Sequence, residues 1–187
     1  EWLLMRAALL AGRMASFRAR VQAVRGGLPF GSDVFAPSIA LPGGHDFDRW
    51  TEATDFFTGG SSAGGVVGWA TGATNAAAEW AQALLDQVAD VRQEDAVELT
   101  LRLLHQDDVA GLPHTSDGLR QGDLPLVELY DREVARLVAL TSDRVPLYPP
   151  ISAGGDPTRV RQLASSVQAH GCHGAMVSVD PDNVASV

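Results

Sequence analysis

The chain has 187 residues, 45% hydrophobic and 20% charged, enough for one globular domain with a core and too apolar for a disordered segment. Its net charge of −9 argues against nucleic acid as the main partner, because phosphate recognition needs a basic surface. The lone Cys172 excludes an internal disulfide and a multi-cysteine metal site, and no run approaches a membrane span, so no membrane partner is expected.

In chain order, Leu3, Ala7, Leu10, Met14, Phe17, Val21 and Val24 recur in steps of four and three, which predicts an amphipathic helix ended by Gly26-Gly27. Its arginines fall off that stripe, and a coiled-coil seam stays open as an alternative, although three heptads without paired opposite charges make a weak case for it. Residues 28–37 predict a buried strand closed by Pro37, and His45 to Thr54 a short helix carrying Phe47, Trp50 and Ala53. Asp55 to Thr58 reads as a second strand, followed by a glycine-rich loop. Asn75 is placed as the cap of a long helix, and residues 106–125 as a surface connection. A helix over Leu126–Leu140 leads to a third strand over Val145–Ile151. Asp156 and Pro157 start the next helix, Gly171 stops it, and residues 174–179 form a fourth strand.

Strands separated by helices run parallel with right-handed crossovers, so the class is α/β. No strand alternates strictly between polar and apolar residues, as expected for a sheet covered on both faces. Two architectures fit: about four βα units of a (β/α)8 TIM barrel, or an open doubly wound sheet. Residue 1 is Glu with a helical pattern already running behind it, and Val187 stops as a new element begins. The expectation is one partial domain over 1–187, a barrel's C-terminal half whose missing N-terminal half would be its partner. No signal-peptide pattern is visible; that leans towards a cytoplasmic location while leaving the compartment open.

Three stretches carry a resemblance: Phe30-Gly-Ser-Asp-Val-Phe-Ala-Pro-Ser38, Gly44-His-Asp-Phe-Asp-Arg-Trp-Thr-Glu-Ala-Thr-Asp-Phe56 and Gly171-Cys-His-Gly-Ala-Met-Val-Ser-Val-Asp180. Together they resemble the later half of glycoside-hydrolase-like TIM-barrel proteins. The resemblance implies that residues 28–180 hold roughly the fifth to eighth strands and that the substrate is a carbohydrate. It also implies that the strand beginning Asp55-Phe56 should run into a Pro-Met-x-Tyr segment, where this chain has Thr58-Gly-Gly-Ser-Ser62. Such barrels commonly place the acid after strand four and the nucleophile after strand seven. Here the matching strand ends Tyr148-Pro-Pro-Ile-Ser152 without a carboxylate, and hydrolysis needs two.

The candidate catalytic residues are Asp33, expected as a carboxylate inside an apolar strand, and Asp180, just after the last strand. Tyr148, Ser62 and Trp69 are candidate substrate contacts, Trp69 because it is expected within the glycine-rich loop. Asp55, at the start of its strand, reads as structural, and Asp180 lies in an Asp-Pro-Asp-Asn run that is also turn vocabulary. His170-Gly-Cys-His173 falls in a helix-to-strand loop on the opposite face, and the five histidines form no metal-spaced cluster. No cofactor is expected. The glycines lack the Lys and Ser/Thr of a Walker A loop and the spacing of a dinucleotide fingerprint, although residues 58–65 could form a simple phosphate nest. The competing functions are therefore a phosphorylated-small-molecule enzyme using that loop and a non-catalytic glycan-binding barrel. A half-barrel would also leave apolar surface open, so poor solubility or self-association is expected.

Overall fold

The computed structural model describes residues 1–59, 68–141, 143–152 and 156–178, and shows a mixed α/β chain with short parallel strands. The chain opens with helix α1 (Trp2–Val24), then strand β1 (Gly31–Val34), α2 (Pro37–Gly43), α3 (Phe47–Ala53) and β2 (Phe56–Gly59). Four helices follow: α4 (Gly68–Gln87), α5 (Gln93–Leu103), α6 (Ser116–Gln121) and α7 (Leu126–Thr141). Strands β3 (Leu147–Tyr148) and β4 (Pro150–Ser152), helix α8 (Pro157–Ala169) and strand β5 (Met176–Ser178) complete the described elements.

The strands pair in parallel as β1-β2-β3 and as β4-β5. One residue, Pro149, separates β3 from β4. Proline has no N–H for the ladder, so the single strand expected over 145–151 becomes two short ones.

Burial alternates along β1 and β2. Ser32, Val34, Phe57 and Gly59 are buried, while Asp33 is exposed and Gly31, Phe56 and Thr58 are partly covered. A sheet covered on both faces would bury both sets of residues, so that expectation is corrected: β1 and β2 have one packed and one open face. The period was hidden because Gly31, Ser32 and Asp33 are all small or polar, whichever way they point.

Two element limits also differ from the sequence reading. Helix α4 starts at Gly68 rather than Asn75, with Trp69, Ala70, Ala73, Ala77, Ala78 and Ala81 on its buried side. Those alanines carry no long side chain, which lets α5 and α6 pack closely against α4. The helix then ends before Val88, α5 is separate, and the expected surface connection contains α6, capped by Thr115 Oγ1 accepting the Gly118 N–H at 3.1 Å.

Helix α8 follows its sequence signals. The Asp156 side chain accepts the Thr158 N–H at 2.9 Å, Pro157 occupies the first turn, and Gly171 takes a left-handed φ of 72° beyond the end.

Candidate functional site

The open face is built by register. Asp33 on β1 pairs with Thr58 on β2, and Thr58 pairs with Tyr148 on β3, so three adjacent strands set an acid, a hydroxyl and a phenol in one row. Thr58 Oγ1 donates a hydrogen bond to Asp33 Oδ1, which fixes the carboxylate across the two strands. Asp33 is exposed, which corrects the expectation of a buried carboxylate: it lies on the open side of β1, where solvent compensates its charge.

The row beneath is aromatic. Phe56 sits edge-on to Tyr148 with centroids 6.0 Å apart, and Tyr148 is tilted against His173 at 6.5 Å. Gly31 provides the room: a Cβ there would stand 2.1 Å from the Phe56 ring. A polar row thus lies above an aromatic floor.

Trp69 does not belong to this face. It lies in the first turn of α4, 2% exposed, with its ring 6.4 Å from that of Tyr130. The expectation that Trp69 lies in a loop is corrected, because the helix begins before Trp69 and turns it into the core. Ser62 and Asp180 lie outside the described residues.

Asp55 anchors the opposite strand ends: its Oδ2 accepts the Phe30 N–H at 2.8 Å, and its Oδ1 pairs with Arg18 of α1. His173 donates its backbone N–H to the Leu147 carbonyl at 3.1 Å, at the start of β3. Burial pushes the half-buried Cys172 thiol up, the reverse of what a nucleophilic cysteine needs.

A polar cluster that the sequence reading missed lies in the helical layer. Glu133 of α7 is 0% exposed and accepts from the Ser38 N–H at 2.9 Å and Gln106 Nε2 at 2.6 Å, with Arg136 at 3.4 Å. Burial pushes its carboxyl up, against the pull of the Ser38 N–H and Arg136. The signal was present: Glu133 stands four residues from both Leu129 and Leu137, on the apolar stripe of its helix. Being sealed from solvent, this carboxylate organises α2 and α7 and cannot reach a substrate.

Asp131 Oδ1 accepts from Ser166 Oγ at 2.6 Å and meets His170 Nε2 at 3.0 Å. These are the residue types of a hydrolytic triad in the wrong order, since the carboxylate, not the imidazole, contacts the serine. They clamp α7 to α8. Among the described residues no group of three His, Cys, Asp or Glu could hold a metal, and no helix is long and apolar enough to cross a membrane. Neither a known protein family, nor a characterised protein, nor a solved structure matches the chain.

Proposed function

We propose that the chain forms four consecutive βα units of a TIM barrel of the glycoside-hydrolase-like type, and that the open face of its strands binds carbohydrate. The Asp33–Thr58–Tyr148 row carries this reading. Neighbours in it are about 4.8 Å apart from strand to strand. A charged acceptor, a hydroxyl and a phenol above an aromatic floor are the groups that a ring bearing several hydroxyls requires. The parallel pairing of β1 with β2, of β2 with β3 and of β4 with β5 supports the barrel part of the reading.

Hydrolysis of a glycosidic bond requires two carboxyl groups flanking it. Among the described residues Asp33 is the one carboxylate carried by any strand, and the second candidate, Asp180, lies outside them, so glycan binding is the activity that the described face supports.

The test is calorimetric titration with a panel of neutral oligosaccharides, alongside inorganic phosphate. At least one saccharide should bind saturably, and D33A should weaken it about tenfold or more, because a charge-assisted hydrogen bond is lost. Nitrophenyl glycosides should remain uncleaved. Binding of phosphate without any saccharide, or a D33A variant with unchanged saccharide affinity, would overturn the reading.

A further inference from the structure

Helix α1 is apolar on two sides. Ala7 and Ala11 are buried and, with Leu10 and Met14 against the core, form the side that faces the protein. On the outward side Trp2 and Leu9 are each 63% exposed, and no described element covers them.

The outward side has a spacing. Arg13 and Arg20 are seven residues apart, and Leu9 and Ser16 stand four residues before them, while Arg6, one step back, turns to the Pro42 carbonyl of α2 at 2.6 Å. A repeat of seven is the spacing of a coiled-coil seam, here with arginine in one core position and apolar or small residues in the other. Successive arginines are about 10.5 Å apart along the axis. Between Arg13 and Arg20 a shallow groove of about 480 Å³ runs past Leu9, Gly12, Ser16 and Phe17. Gly12 forms part of its floor, and a Cβ there would meet nothing within 4 Å.

The charges add to this. Every arginine from Arg49 to Arg144 lies against a carboxylate, whereas Arg25, Arg159 and Arg161 at the two ends of the chain, like those of the α1 groove, have no ion pair among the described residues. Among the described residues Arg13 and Arg20 have no ion-pair partner, although the chain carries 23 acidic side chains.

We propose that the outward seam of α1 docks an acidic amphipathic helix of a partner protein, with carboxylates at seven-residue spacing opposite Arg13 and Arg20 and apolar residues against Trp2 and Leu9. A second copy of α1 does not fit, because the helix has no acidic residue and would bring only further arginines to the seam. A lipid surface fits less well, because Arg13 and Arg20 line the same groove as Leu9 and Phe17 instead of a separate polar face of the helix. This inference does not depend on the carbohydrate reading.

The probe is a synthetic peptide of about four heptads with Glu at every a position and Leu at every d position, which its own charge keeps from self-pairing. Fluorescence anisotropy should show saturable one-to-one binding that weakens with salt. An R13E/R20E double variant should lose about tenfold or more of that affinity, with an unchanged circular dichroism spectrum. A second peptide with Arg at every a position should bind the double variant and not the parent chain. Three results would overturn the proposal: no binding by the Glu peptide, binding indifferent to the charge reversal, or association with phosphatidylserine vesicles in its place. An R159E variant, altered on the distant α8, should bind the Glu peptide like the parent, and a loss there would also count against the seam.

Discussion

Glu133 Oε2 accepts the backbone N–H of Ser38 at 2.9 Å, so the first turn of α2 is held by a side chain of α7 that lies 95 residues further along the chain. Its other oxygen holds Gln106 Nε2, while Gln106 Oε1 is buried without a partner among the described residues. E133A would strand the Ser38 N–H and the Gln106 amide, and should destabilise the fold by about 3–5 kcal/mol. E133Q should stay within about 1 kcal/mol of the parent at neutral pH, because a turned Gln106 amide can pair with the new one. The sign with pH follows from the raised carboxyl. Its contribution is full below the ordinary carboxyl range and is lost as pH rises through the raised value, so E133Q should remove that loss. Urea unfolding of both variants across pH checks each point; equal losses would contradict it.

His45 gives the opposite slope. It is stacked on Phe35 at 4.9 Å and packed against Trp50 at 4.3 Å, and its Nδ1 accepts the Phe35 N–H at 3.1 Å. Burial, reinforced by Arg6, lowers its pKa from 6.5 to about 4. The unfolded chain therefore takes up a proton that the folded one resists. Stability should fall between about pH 6.5 and pH 4, by roughly 2 kcal/mol after allowance for partial exposure. The H45Q variant should show a flatter stability profile over that window, measured by thermal unfolding in steps of pH.

Gly31 and Phe56 form a second coupled pair, this time by shape. A Cβ at Gly31 would stand 2.1 Å from the Phe56 ring, and moving the ring disturbs its contact with Tyr148. G31A should destabilise by about 1–3 kcal/mol through overpacking. In the G31A/F56L double variant most of that penalty should disappear, giving a coupling energy of about 1 kcal/mol or more in a double-mutant cycle. Additive effects would show that the ring moves aside freely.

Trp69 should behave as a core residue. Its indole Nε1 is buried without a partner among the described residues, so W69F removes an unpaired donor and should be close to neutral. W69A should cost about 3–5 kcal/mol through the cavity it leaves. Chemical unfolding distinguishes this from a ligand contact, because a residue serving only a ligand would leave stability unchanged in both variants.

How much was legible depends on whether a signal is local. Asp156, Pro157 and Gly171 act within a turn of their own backbone, and α8 formed where they placed it. The parallel α/β class followed from the alternation of strands and helices, which is also a chain-order property. Trp69 was misplaced because the neighbouring glycines suggested a loop, and the alanine side that draws α4 into the core outweighed them. Asp33 was misread because Gly31, Ser32 and Asp33 do not declare which side of a strand is open. The Glu133 cluster was half legible: its position on the stripe marks it, but Ser38 and Gln106 reach it only through tertiary contact.

Pro149 has a consequence for how the sheet comes apart. On one side of it Leu147 and Tyr148 pair with β2, and on the other Pro150 to Ser152 pair with β5. Pro149 has no N–H to give, yet its carbonyl accepts the Met176 N–H at 3.0 Å, and the Leu147 carbonyl accepts the His173 N–H at 3.1 Å, so the bonding on the β5 side runs across the proline. One short stretch, residues 147–152, is thus gripped by β2 on one flank and by the 173–178 stretch on the other. Amide protons on both flanks should exchange together when that stretch lets go.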